Sequence, residues 1–133
     1  MIGILLLVIL TWVGCSNSPE PRTFPVSGIV TLDGVPLKGV AVMFQPEQGG
    51  SFGIGISDSA GRFKITTFEL DDGAIPGNHG VIIQKDTASF DATSEGNNDG
   101  QKIPPRYGKA ETSGLQVEVS SEIQDLELKL TTN

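Results

Sequence analysis

The 133-residue sequence has little of several residue types on which common protein sites depend. It contains one cysteine, one histidine and 6% aromatic residues. A single cysteine excludes a disulfide within the chain, and it excludes a zinc site built from several thiolates. A histidine that acts as a catalytic base needs a nucleophile or an orienting carboxylate nearby, and the sequence contains no recognisable motif that pairs one with the single histidine. No window has a sustained apolar period of 3.6 residues, so we predict no substantial helix.

Basic residues are also scarce. The chain has 9 Lys and Arg against 16 Asp and Glu, which gives a formal net charge of −7, and no charged residue precedes Glu20. Binding to nucleic acid or to an anionic membrane surface depends on clustered Lys and Arg. We therefore expect no nucleic-acid partner. The length is that of one domain.

Turn-forming residues are abundant by contrast, with 17 Gly and 8 Pro. From Pro25 to Thr67, short runs of alternating apolar residues are separated by Asp-Gly, Gly-Gly and Ala-Gly pairs. This pattern is typical of consecutive short β-strands joined by tight turns. Seven strands at such spacing predict an all-β sandwich.

The predicted strands have distinct faces. In the third, Phe52, Ile54 and Ile56 share one face, and Gly53 and Gly55 share the other. Inward side chains are expected at Phe63, Ile65, Val81 and Ile83, and one face of the second strand carries Val40, Val42 and Phe44. The final pair alternates Leu115, Val117 and Val119, then Leu126, Leu128 and Leu130, with polar residues. The predicted strands are 24–32, 40–45, 52–57, 62–67, 79–85, 115–120 and 126–130.

The N-terminus indicates a cellular address. Residues 1–14 contain an apolar run of about 12 residues, which is too short to span a hydrocarbon core but fits the apolar region of a signal peptide. The run ends in LTWVGC, which resembles the lipobox of bacterial lipoproteins, in which the cysteine receives lipid. Cys15 is thus the expected lipidation site, and residues 15–23 are the expected tether. The alternative is a lone buried cysteine in an ordinary hydrophobic leader.

The residues that remain, 24–133, form the predicted domain. Residues 86–113 have no strand pattern, and residues 87–101 are rich in Ser, Asp, Asn and Gly, which predicts flexibility. Residues 103–107 are apolar enough to pack along an edge of the sandwich. The connection 68–78 is polar and contains two chain breakers.

Three stretches resemble one known family. VSGIVTLDGVPLKGVAVMFQP, SDSAGRFKI and IPGNHGVII are similar to the opening, the hairpin and a later strand of carboxypeptidase-regulatory-like, transthyretin-type domains. The chain as a whole resembles small lipoproteins of planctomycete-type bacteria. The resemblance implies a seven-stranded Greek-key sandwich of prealbumin-like type, and it implies no activity, because its motifs concern turns and core.

Candidate chemistry is weak at every position. His79 is expected to be a structural strand residue in place of an aromatic. Asp71-Asp72-Gly73 is expected to be a turn. A separate oxygen-rich patch, within residues 91–99, lacks the residue spacing of a calcium-binding loop. Tyr107 with Arg106 is a candidate ligand contact through sugar stacking, and edge packing is the alternative. The patch consists of Asp91, Glu95, Asn97, Asn98 and Asp99.

These observations favour a non-enzymatic protein, lipid-anchored to the cell envelope through Cys15, whose sandwich is a structural or interaction module. The alternative is a module that binds carbohydrate or another envelope polymer. The expected partners are the membrane and an envelope protein or polysaccharide. No cofactor or metal is expected.

Overall fold

Two four-stranded β-sheets form the fold. The computed structural model describes Gly14, residues 22–86 and residues 102–133. The predictions for the leader, for Cys15, for most of the tether and for the segment 87–101 therefore lie outside the described residues. The predicted all-β class is confirmed. The strands are β1 (Val26–Leu32), β2 (Val35–Pro36), β3 (Val40–Pro46), β4 (Gly53–Ile56), β5 (Arg62–Lys64), β6 (Gly77–Lys85), β7 (Gln116–Val119) and β8 (Ile123–Leu130).

The first sheet is built around β1. Strands β2 and β5 both pair with β1 in antiparallel orientation, β5 near its start and β2 at its end, while β8 pairs with it in parallel. The second sheet has the order β4-β3-β6-β7 and is antiparallel throughout. An isolated bridge between Ile54 and Thr66 joins β4 to the chain two residues beyond β5 and so connects the two sheets.

The core lies between the sheets and follows the predicted alternation. Val40, Val42 and Phe44 are all buried on β3, as are the inward residues predicted for the fourth and fifth strands. Side chains of both sheets therefore meet in one apolar cluster, which is what stabilises a two-layer fold. Its largest fully buried apolar members are Phe44, Ile65, Ile83, Leu130, Val30, Val42, Val81 and Val119.

The Asp33-Gly34 turn is confirmed and sets the register of β1 with β2. Leu32 pairs with Val35, and both turn residues have positive φ, 48° and 83°, as a two-residue turn of type I′ requires. Proline has no N–H to donate to a ladder, and the sequence alone would place Pro36 in the connection after this turn, but Pro36 pairs with Thr31 in β2. Leu37 N–H donates to Val30, which makes Thr31↔Pro36 a pair without hydrogen bonds, and the missing N–H of proline costs nothing there.

Strand β4 turns its glycines inward and its isoleucines outward. Gly53 and Gly55 are buried, whereas Ile54 and Ile56 are 42% and 46% exposed. A Cβ built on Gly55 would lie 2.4 Å from the carbonyl oxygen of Lys64, so only glycine permits this approach of β4 to β5. The predicted alternation is confirmed, and the apolar face is the outer one.

The segment after residue 101 is more ordered than predicted. A 3₁₀ turn, Pro105–Gly108, and a one-turn helix, α1 (Ala110–Ser113), lie against β6. Tyr107 is buried, and Ile103 packs against the core, so the predicted edge packing of residues 103–107 is confirmed. The prediction that residues 86–113 have no strand holds for the described residues 102–113, and the two short helical turns there were not predicted. These short turns are held by tertiary contacts, and no apolar periodicity in the sequence predicts them.

Candidate functional site

Arg106 and Tyr107 lie together and hold the C-terminal end of β8. The Thr131 N–H donates to the Tyr107 hydroxyl at 2.9 Å, and Arg106 Nη2 donates to the same hydroxyl at 2.9 Å and to the Thr131 carbonyl at 2.7 Å. The guanidinium carbon lies 4.8 Å from the centre of the Tyr107 ring, within the range of a cation–π contact. These contacts fasten the chain just beyond Leu130.

The surroundings of the Tyr107 ring indicate a structural role. The residue is 4% exposed, so the ring offers no open face on which a sugar could stack in this conformation. Burial acts to raise the pKa of the phenol, but the Thr131 N–H and the Arg106 guanidinium stabilise the phenolate and hold the pKa below its ordinary value of 10.0. The arrangement matches edge packing, the alternative role for these two residues.

His79 lies in the core. Its Nε2 is 2.7 Å from the Ile75 carbonyl oxygen, which can only accept, so Nε2 carries the proton. Nδ1 is buried without a hydrogen-bond partner among the described residues. The ring is tilted against Phe44 with 5.6 Å between centroids. It therefore occupies the place of a core aromatic and has no access to a substrate.

Asp72 organises the loop from Thr67 to Gly73. Its carboxylate accepts the N–H groups of Thr67, Phe68 and Glu69 at 2.7 to 3.0 Å. Burial acts to raise the pKa of the carboxyl, but these three N–H groups hold the pKa below its ordinary value of 3.8. The predicted turn at 71–73 is present, with Asp71 at φ 58°. The hydrogen bonds of this carboxylate therefore stabilise the conformation of the loop.

An open groove crosses the outer face of β4, β5 and β1, with a volume of about 1060 Å³. Ile54 and Ile56 project from β4, Arg62 and Lys64 from β5, and the side of β8 adds polar groups. We call this surface the outer groove. Its lining is Ser27, Gly28, Ile29, Ile54, Gly55, Ile56, Asp58, Arg62, Phe63, Lys64, Thr66, Leu70, Asp71, Gln124, Asp125 and Glu127.

The outer groove combines apolar side chains with charges of both signs. It does not include Arg106 or Tyr107. Sequence reasoning missed it, although one signal pointed to it. In β4, glycine alternates with isoleucine. Because the glycines lie on the inner face, the isoleucines are exposed to solvent. Such a surface can hold an elongated ligand by apolar contact and by hydrogen bonds at its sides.

Two kinds of structure are absent from the residues described. No helix within 22–86 and 102–133 is long and apolar enough to cross a membrane. The same residues contain no group of three or more His, Cys, Asp or Glu side chains placed to hold a metal ion. The acidic patch that includes Asp91 and Glu95 lies outside them, as does Cys15.

Comparison of the chain with protein-family models, with curated proteins and with solved structures finds no match in any of the three.

Proposed function

We propose that this chain is a non-enzymatic, lipid-anchored protein of the cell envelope whose sandwich is a structural or interaction module. One observation carries the proposal. The only cysteine directly follows an apolar run and Gly14, and a polar, proline-containing stretch separates it from Phe24, where the first backbone bridge of the fold forms. Lipid on Cys15 would give an anchor, and residues 16–23 would give the spacing. The non-enzymatic part is supported by the burial of His79.

The proposal includes a Greek-key sandwich of prealbumin-like type. The strand order supports it. Strand β3 pairs with β4 and with β6 in antiparallel orientation, and the Ile54–Thr66 bridge brings the chain just after β5 beside β4, an order that resembles a Greek key. Seven strands remain when the two-residue β2 is set aside.

The anchor is tested by expressing the full chain with its leader in a bacterium and comparing it with a Cys15→Ser variant. We expect the parent protein in the membrane fraction, with an N-terminal mass that lacks residues 1–14 and carries acyl chains on Cys15. Cys15→Ser should be unprocessed or soluble, whereas Ser16→Ala, its neighbour, should behave like the parent. An unmodified Cys15 in mature protein would refute the anchor.

The outer groove favours one alternative, a module that binds carbohydrate or another envelope polymer. It is open to solvent, and its lining includes the apolar Ile54 and Ile56 as well as the polar Lys64 and Gln124. Pulldown with purified envelope polysaccharide separates the two functions. Saturable binding that is lost in Ile56→Ser and kept in Val35→Ser would favour the polymer, because Ile56 and Val35 are 46% and 50% exposed and only Ile56 lies in the groove. Absence of saturable binding would count against the alternative.

A further inference from the structure

Three large apolar side chains are exposed at one end of the sandwich. Phe52, Phe68 and Leu70 are 42%, 44% and 85% exposed. Phe52 precedes Gly53, at which a Cβ would lie 3.2 Å from Thr67 Oγ1, and Phe68 and Leu70 follow Thr67 along the chain. We call these three residues the apolar tip. Exposed apolar groups that cluster in this way are a common mark of a contact surface.

The loop that carries Phe68 and Leu70 has a defined shape. Besides the three N–H groups held by Asp72, the Asp71 N–H donates to Thr66 Oγ1 at 2.8 Å, and the Thr67 hydroxyl donates to the Gly73 carbonyl at 2.6 Å. Leu70 therefore projects from a loop that is hydrogen-bonded on both sides of it. Its exposure is built into the fold, because folding fixes the loop and still leaves this side chain outside.

The apolar tip lies at the end where the tether enters. Phe24 and Ala74 exchange two backbone hydrogen bonds of 2.9 and 3.0 Å, and Gly73 packs against the Phe24 carbonyl. The opposite end carries the Asp33-Gly34 turn and Val35, and the seven residues of β1 separate the two ends by about 20 Å. Phe24 thus lies beside the loop of the apolar tip.

The distance to an anchored Cys15 is short. An extended chain spans at most about 3.6 Å per residue, so the nine residue-to-residue steps from Cys15 to Phe24 span at most about 32 Å. A tether of this length limits the distance between the lipid and the entry end of the domain, which carries the apolar tip. The side chains flanking Leu70 are the exposed carboxylates Glu69 and Asp71, which suit the ammonium groups of zwitterionic headgroups and oppose an anionic surface.

We infer that the apolar tip contacts the membrane surface, with Leu70 and Phe68 at the boundary between headgroups and acyl chains of zwitterionic lipid. The inference rests on the proposed lipid anchor at Cys15. It orients the domain: the loop Thr67–Gly73 faces the membrane, and the end that carries Val35 and Asp86 faces away. Asp86 donates its N–H to the Gly39 carbonyl at this far end.

The test places one tryptophan at each end of the full chain. Trp12 is the only natural tryptophan and lies in the predicted leader, so processed protein has none. Leu70→Trp and the matched control Val35→Trp are expressed with the leader and extracted. Each is then reconstituted into phosphatidylcholine–phosphatidylethanolamine vesicles that contain brominated lipid. We expect quenching of the Leu70→Trp variant to exceed that of the control by at least about twofold, since interfacial groups insert only about 5–10 Å. Phe68→Trp provides a second probe of the same loop.

Three outcomes would overturn the inference. Equal quenching in the two variants, with lipid found on Cys15 by intact mass, would refute the contact and leave the anchor standing. A blue shift that follows protein concentration and not brominated lipid would assign the tip to a second copy of the chain. An unmodified Cys15 in the same mass measurement would remove the anchor, and the membrane contact would fall with it.

Discussion

Replacing Tyr107 by phenylalanine removes one oxygen atom and leaves the buried ring in place. The hydroxyl accepts hydrogen bonds from Thr131 N–H and from Arg106, and it lies 3.3 Å from the Thr131 carbonyl. Arg106 keeps its bonds to Thr131, but the part-buried Thr131 N–H loses its acceptor. A hydrogen bond contributes about 1 kcal/mol net, and an orphaned donor costs about 1–3 kcal/mol. We expect Tyr107→Phe to lower the free energy of unfolding by about 1–2 kcal/mol.

The assay is urea unfolding of the full chain at neutral pH, followed by far-ultraviolet circular dichroism with an unchanged m-value. A double-mutant cycle with Arg106→Ala isolates the bond between the two side chains, for which we expect a coupling of about 0.5–1.5 kcal/mol. A loss below about 0.3 kcal/mol in Tyr107→Phe would refute the view that this hydroxyl fastens the end of β8. A loss above about 3 kcal/mol would mean that packing, and not hydrogen bonding, is what the variant disturbs.

The same residue gives a pH measurement, because Tyr107 is the only tyrosine in the chain. The folded pKa lies below 10.0, so the stabilisation from ionising the phenol is lost as the pH falls through the folded pKa and is complete above the unfolded value. Ultraviolet titration of the folded protein should show tyrosinate forming below pH 10.0 in the parent. In Arg106→Ala the midpoint should rise. A parent midpoint at or above 10.0 would contradict the hydrogen-bond geometry.

The remaining predictions concern Asp72. Asp72→Asn keeps one acceptor oxygen but turns an NH₂ group toward backbone donors, so it should cost about 1–3 kcal/mol of unfolding free energy at neutral pH, measured by urea unfolding against Asp71→Asn as the control. Because the folded pKa of Asp72 lies below 3.8, its contribution is complete above pH 3.8 and is lost as the pH falls through the folded pKa. The stabilities of parent and Asp72→Asn should therefore converge in acid, and a constant gap down to pH 2 would contradict the assigned role.

Much of the fold could be predicted from local pattern. The alternation of Val40, Val42 and Phe44, and that of Leu126, Leu128 and Leu130, identified strands because a half-buried strand repeats every two residues. The Asp33-Gly34 turn could be identified because few residue types other than glycine, asparagine and aspartate accept positive φ. The parallel pairing of β1 with β8 could not be foreseen, since no local signal links two strands about 100 residues apart.

The candidate surfaces were harder to predict than the strands. Apolar residues such as Ile54 and Ile56 ordinarily indicate an inner face, but the close approach of β4 to Lys64 admits only glycine, and this reverses the faces. Arg106 and Tyr107 were singled out as a candidate ligand contact, with edge packing as the alternative. Their partner is Thr131, which only the folded chain brings near. The exposure of Leu70 could not be predicted from the sequence, because whether one leucine in a polar loop is exposed depends on the shape of that loop.

The pairing of β1 with β8 also determines when the domain can fold. Strand β1 precedes its parallel partner, residues 123–130, by about 100 residues. Until those residues arrive, one side of β1 has no neighbour, and Val30 lacks the cover of Leu128 with which it pairs. The first sheet therefore cannot be completed before β8 is available, and in a chain that emerges N-terminus first, β1 waits for a partner about 100 residues away.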